Sequence, residues 1–189
     1  MHITGVLLAG GMGQRMGSID KGLIALRGKP LVAHVLERLE PQVDKILISA
    51  NRELDQYRQF GHPVITDMIP GFAGPLAGLH SAMSQANTPL ILTVPCDSPL
   101  IPVDLASRLL DALQAQNADL AVVRTEHRTQ PVFSLCRTAL QARLTDYLQA
   151  GGRKVEHWHA SLRTVEVLFD DESAFININT PEELACLEK

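Results

Sequence analysis

The chain has 189 residues, the upper end of one ordinary domain, and a chain of that size buries about 70% of its unfolded surface. Hydrophobic content of 46% and a net charge of −4 give a globular balance and argue against a general nucleic-acid binder, which is usually basic. Cys96, Cys136 and Cys186 are far apart and offer neither a CxxC pair nor a disulfide framework. No apolar run reaches the ~18 residues of a membrane span, so a soluble cytoplasmic protein is expected.

Met1-His2 leads directly into Ile3–Ala9, a continuous apolar strand of the kind buried on both faces of a parallel sheet. Pro30 opens a helix with Leu31, Val32, Val35, Leu36 and Leu39 at helical spacing. Lys45–Ala50 is a second strand, Glu53–Phe60 a short helix and Pro63–Asp67 a third strand. A loop over Gly71–Pro75 precedes a helix with an apolar stripe of Leu76, Leu79, Ala82 and Met83. Leu90–Pro95 is the fourth strand, and the helix from Pro102 buries Leu105, Leu109, Leu110 and Leu113. Repeated βα units of this size predict an α/β fold: a Rossmann-like three-layer sandwich, mostly parallel, with helices on both faces.

The second part is less regular. Asp119–Arg124 and Pro131–Cys136 are expected strands separated by the polar stretch TEHRTQ. Thr138–Ala150 is amphipathic through Leu140, Leu144 and Leu148, and Arg163–Phe169 is a further strand. Thr180-Pro181-Glu182-Glu183 is a capping box with proline at the first helical position, so a last helix begins there. With no linker, repeat or low-complexity tract, the chain reads as one domain over 1–189. Its halves, about 1–115 and about 116–189, differ in regularity.

The candidate chemistry starts at GVLLAGGMGQRMGSIDKGL, residues 5–23. A buried strand breaks into Gly10, Gly11, Gly13 and Gly17, with Arg15 and Lys21 inside or just past the loop. Backbone N–H groups freed of Cβ crowding form an anion nest, and Arg and Lys add a fork and a point charge for phosphate oxygens. It is not a P-loop, because Lys21 arrives too late after Gly17. Nor is it a dinucleotide fingerprint, because Met16 occupies the third glycine position.

Asp97 follows the fourth strand directly, at the sheet edge beside this loop, and is the candidate Mg²⁺ ligand. Asp67 ends the third strand and can accept hydrogen bonds from a nucleoside, or serve a turn. Asn51, after the second strand, both donates and accepts, as reading a purine edge requires. In FININTPEEL, Asn177 and Asn179 alternate with apolar residues, which on a strand turns both amides to one side. Gly151-Gly152-Arg153-Lys154 is either a second phosphate-binding turn or a helix C-cap with solvated charges.

LAGGxxxRMG followed by DKGL resembles the signature loop of the nucleotidyltransferase family. Together with SANR, the aspartate before PGxxGPLAG, PCDSP and FxNxNTPEEL, it resembles the molybdenum cofactor guanylyltransferases over nearly the whole chain. That resemblance implies transfer of GMP from GTP to molybdenum-loaded molybdopterin, giving the guanine dinucleotide cofactor and pyrophosphate. It implies that Leu8, Ala9, Gly10, Lys21, Asn51, Asp67 and Asp97 contact GTP. It further implies that Arg15, Lys21 and Asp97 carry catalysis, that Asp97 binds Mg²⁺, and that Asn177 and Asn179 serve the acceptor. Other cofactor-biosynthesis proteins and the target molybdoenzymes are the further partners it admits, with no nucleic acid and no membrane.

Many members of that family read NANR where this chain has Ser49-Ala50-Asn51-Arg52, so base contact is expected to pass to Asn51 or backbone. The competing readings are a cytidylyltransferase on the same pterin, a sugar-phosphate nucleotidyltransferase, and a non-catalytic GTP- or cofactor-binding chaperone.

Overall fold

The structure is a computed structural model that describes residues 2–9, 20–69 and 74–188. Gly10, Arg15 and the loop glycine at 71 lie outside the described residues.

Its centre is β1 (Ile3–Leu8). After Lys21–Leu23, a single 3-10 turn, β2 (Ala25–Leu26) and β3 (Lys29–Pro30) form a small hairpin that the sequence reading did not contain. The turn residues Arg27 and Gly28 both have positive φ, 51° and 76°. That is the twist a two-residue hairpin favours, although Arg is a poor residue for it. The next elements are α1 (Leu31–Leu39), β4 (Lys45–Ser49), α2 (Leu54–Arg58), β5 (Val64–Ile65), α3 (Pro75–Gln85) and β6 (Leu90–Pro95). They are followed by α4 (Leu105–Ala115), β7 (Leu120–Arg124), β8 (Thr129–Arg137), α5 (Gln141–Gln149), α6 (Val155–Ala160), β9 (Thr164–Leu168) and α7 (Pro181–Glu188).

Seven strands form one sheet in the order β5-β4-β1-β6-β8-β7-β9. The pairs of β1 with β4 and β6, and of β7 with β9, are parallel; β8 runs antiparallel to both of its neighbours. The alternation along β1 explains the layers. Ile3 and Leu7 face the side covered by Val32, Val35 and Leu39 of α1 and Leu105, Leu109 and Leu113 of α4. Val6 faces the other side, with Leu76, Leu79 and Met83 of α3, Leu144 and Leu148 of α5, and Trp158 of α6. No helix among the described residues is long and apolar enough to cross a membrane.

Sheet order places the site. From β1 the chain moves outward to β4 and β5, then returns across β1 to β6. Such a reversal opens a crevice at the carboxyl ends of the strands on either side of it. Hydrogen bonds continue the pairing past the strand ends: Ala9 N to Ser49 O at 2.7 Å, Ala50 N to Ile65 O at 2.9 Å and Cys96 N to Leu8 O at 3.1 Å. The ends of β1, β4, β5 and β6 are therefore drawn level along one rim.

Candidate active site

Asp20 caps the turn that carries Lys21, its carboxylate accepting the N–H of Gly22 at 3.2 Å. From that turn the Lys21 ammonium donates to Oδ1 of Asn179 and stands 3.7 Å from Oδ2 of Asp97. A residue beyond β1, one beyond β6 and one from the C-terminal segment thus meet in one place. Lys21 and Asp97, expected beside one another at the sheet edge, stand side by side there.

Asp97 is 8% exposed. Burial pushes its carboxyl above the usual range, the Lys21 charge pulls it back, and nearby Asp20 adds repulsion. Its backbone is fixed as well, its carbonyl accepting the N–H of Ile178 at 2.9 Å. A buried carboxylate with one cation at a distance retains lone pairs for a further positive partner. Among the described residues no group of three or more His, Cys, Asp or Glu could hold a metal unaided. Mg²⁺ suits such a place, because it is commonly held by one or two carboxylates with the remaining positions taken by substrate phosphates and water.

Asn177 and Asn179 do not lie on a strand, contrary to expectation; residues 176–179 are irregular. Alternating apolar and polar residues imitate a strand here because Ile178 alone is needed inside, where it packs with Leu26 and Leu31 under Leu184 and Leu187. The two amides still converge on the cleft. Asn177 Oδ1 accepts from Ser98 Oγ at 2.9 Å, and Asn179 Nδ2 donates to the Asn177 carbonyl at 3.1 Å. The capping box at the start of α7 forms as expected. Glu183 Oε2 accepts the N–H groups of Asn179 and Thr180 at 2.6 and 3.1 Å, and Thr180 Oγ1 accepts the N–H of Glu183 at 3.2 Å. Asn179 therefore presents its amide from a pinned backbone.

On the other side of the β1 end, Asn51 Nδ2 donates to Asp67 Oδ2 at 2.8 Å and Asn51 Oδ1 accepts the Asp67 N–H at 3.0 Å. Burial raises the Asp67 carboxyl, and the Asn51 bond partly offsets the effect. The pair leaves one Asn51 N–H and the second Asp67 oxygen for a ligand. Ser49 is 2% exposed, and an added Cβ on Gly78 would come within 2.6 Å of its Oγ and 2.7 Å of Leu8 Cδ2. Its hydroxyl is packed under α3, which leaves Asn51 as the described amide at this strand end. Leu8 and Ala9, at the end of β1, lie between β4 and β6 in the sheet order.

Lys21, Asp97, Asn177 and Asn179 are thus one constellation, Asn51 and Asp67 a second, and Leu8 and Ala9 join them. The turn at 151–154 is not part of either: Arg153 Nη1 donates to the carbonyls of Leu148 and Gly152 at 2.8 and 2.6 Å, closing the end of α5. Sequence reasoning missed Ser98 and Tyr57. Ser98 lay within PCDSP. Tyr57 had one signal, the aromatic ring of the short helix LDQYR, and it is fully buried. Burial raises the Cys96 thiol well above its usual range, so it is no thiolate nucleophile.

A family model described as a MobA-like NTP transferase domain matches residues 5–165. A molybdenum cofactor guanylyltransferase of Cupriavidus necator is 52% identical over 187 residues, covering 96% of this chain and 94% of the relative. Among solved structures, the molybdopterin-guanine dinucleotide biosynthesis protein A of Archaeoglobus fulgidus is 23% identical with a TM-score of 0.78, covering 98% of this chain and 96% of that one. Rv0371c of Mycobacterium tuberculosis, solved in complex with manganese, is 16% identical with a TM-score of 0.72, covering 99% of this chain and 98% of that one. The fold agrees with both solved structures, and one of them carries manganese.

Proposed function

The chain belongs to the molybdenum cofactor guanylyltransferases, and from that premise we propose how this nucleotidyltransferase works: it transfers GMP from GTP to molybdenum-loaded molybdopterin. A terminal phosphate oxygen of the acceptor attacks the α-phosphorus of GTP. The new P–O bond forms as the α–β anhydride bond breaks, and its electron pair leaves with pyrophosphate. A phosphate monoester is already anionic near neutral pH, so no protein nucleophile or strong base is needed.

One observation carries the assignment: Lys21 Nζ stands 3.7 Å from Asp97 Oδ2 at the crevice and is bonded to Asn179. A cation and a carboxylate this close, held from separate parts of the chain, suit a triphosphate and the metal that accompanies it. Asp97 would hold Mg²⁺, which when bound neutralises phosphate charge. Lys21, with Arg15 from the loop, stabilises the charge that grows on pyrophosphate. Leu8, Ala9 and Gly10 contact the nucleotide, and Asn51 with Asp67 receives the guanosine. Asn177 and Asn179 face the acceptor, which assigns the nucleotide to about residues 1–115 and the acceptor to the remainder of a single nucleotidyltransferase domain. Rate enhancement rests on positioning and charge. Other cofactor-biosynthesis proteins and target molybdoenzymes are its cytoplasmic partners.

The test is to incubate the protein with Mg²⁺, molybdopterin and each of four NTPs, and to identify products by mass. GTP alone should give the dinucleotide with stoichiometric pyrophosphate. A product only with CTP would make it a cytidylyltransferase; GTP binding without pyrophosphate would make it a carrier.

A further inference from the structure

We propose that Tyr57 is a positioning residue for Lys21, acting through Asp20; the proposal rests on the role given to Lys21 above. Lys21 lies between Asp20, which the Tyr57 hydroxyl bonds, and Gly22, which packs against that hydroxyl. Tyr57 Oη donates to Asp20 Oδ1 at 2.5 Å, and that same oxygen accepts the N–H of Gly22 at 3.2 Å. On the other side, Gly22 is seated so closely that an added Cβ would stand 2.6 Å from Tyr57 Oη and 3.0 Å from Cys96 Sγ. The turn closes with Leu23 N to Asp20 O at 3.0 Å and Ile24 N to Lys21 O at 3.2 Å. The backbone of Lys21 is therefore held on both sides, and its side chain reaches Asp97 and Asn179.

The hydroxyl is a committed donor. Burial pushes the phenol far above its ordinary range, so at neutral pH it keeps its proton. Burial also raises the Asp20 carboxyl, and the Tyr57 bond acts against that. The anchor comes from outside the turn: Tyr57 sits on α2, which begins three residues after Asn51. One phenolic oxygen thus links the segment that follows the guanosine side to the residue at the triphosphate. A ring needed only for packing would not require that oxygen, since its carbon atoms already fill the core beside Phe60.

Tyr57→Phe removes the oxygen and keeps the ring. The expected result is a fall in kcat of roughly 10- to 100-fold, the scale of a misplacement near 1 Å, with KM for GTP within about threefold of the parent. In an Asp20→Ala background the same change should have no further effect on kcat, because the link is already cut. Unchanged kcat in Tyr57→Phe, or a loss that multiplies with that of Asp20→Ala, overturns the proposal. Should Tyr57→Phe fail to fold, Gly22→Ala takes its place: it displaces the same oxygen with the tyrosine intact. It should show the same kcat-selective loss, and parental kcat in that variant is equally fatal. A parent protein that releases no pyrophosphate from GTP sinks the guanylyltransferase reading and takes this proposal with it. An active parent with an unaltered Tyr57→Phe variant sinks the proposal alone.

Discussion

His159 makes stability fall as the solution is acidified, by an amount that can be worked out. It lies on α6, 6% exposed, with its Nε2 buried and without a hydrogen-bond partner among the described residues. Burial depresses its pKa to about 4, against roughly 6.5 for an unperturbed histidine. Between those values the unfolded chain takes up a proton that the folded chain refuses, so the contribution is full above pH 6.5 and shrinks as pH falls through that window. At ~1.36 kcal/mol per unit, about 2 kcal/mol is lost by pH 5 and about 3 kcal/mol by pH 4, below which the loss levels off. The carboxyls of half-buried Asp20 and Asp67 and of buried Asp97 are raised and act in the opposite sense, so the parent's profile mixes several groups. Urea titrations of the parent and His159→Leu at pH 7.5, 6 and 5 isolate the histidine. The variant should gain about 2 kcal/mol on the parent between pH 7.5 and pH 5. Parallel profiles for the two proteins would refute the reasoning.

Two further outcomes follow from the site. Asp97→Ala should reduce pyrophosphate release from GTP by at least ~10²-fold while leaving the melting temperature unchanged or higher, since it removes a desolvated carboxylate rather than a packing group. Asn51→Ala should strip Asp67 of its donor and raise KM for GTP about tenfold with little change in kcat, as expected when ground-state and transition-state binding are lost equally.

What the sequence makes legible is decided by how local its cause is. β1, β4 and β6 read correctly because strands buried on both faces must be apolar throughout, and their ends then mark the sheet rim where Lys21, Asp67 and Asp97 stand. The direction of β8 has no such local cause. Its register with β7 shifts between Val122 and Val123, where Gln130 comes opposite Val123 although Ser134 is opposite Val122. The extra residues and the reversed strand are settled by what β6 and β7 offer on either side, and that is absent from any window of sequence. The six residues of α6 were too few for a helical period to show, although its Trp158 is among the largest fully buried side chains.

The same distinction runs through the site. Asp97 could be placed because it is one residue past the Cys96 that follows a strand. Asn179 could be named but not placed, since what brings it to Lys21 is Ile178, buried in a small cluster with the β2–β3 hairpin and α7. That cluster is assembled from segments about 150 residues apart. Tyr57 is the extreme case: its chemistry lies in one hydroxyl whose partner is 37 positions earlier. Single-residue patterns carry strand and helix because those interactions are repeated. A lone oxygen that aims a lysine repeats nothing, and only the folded chain reveals it.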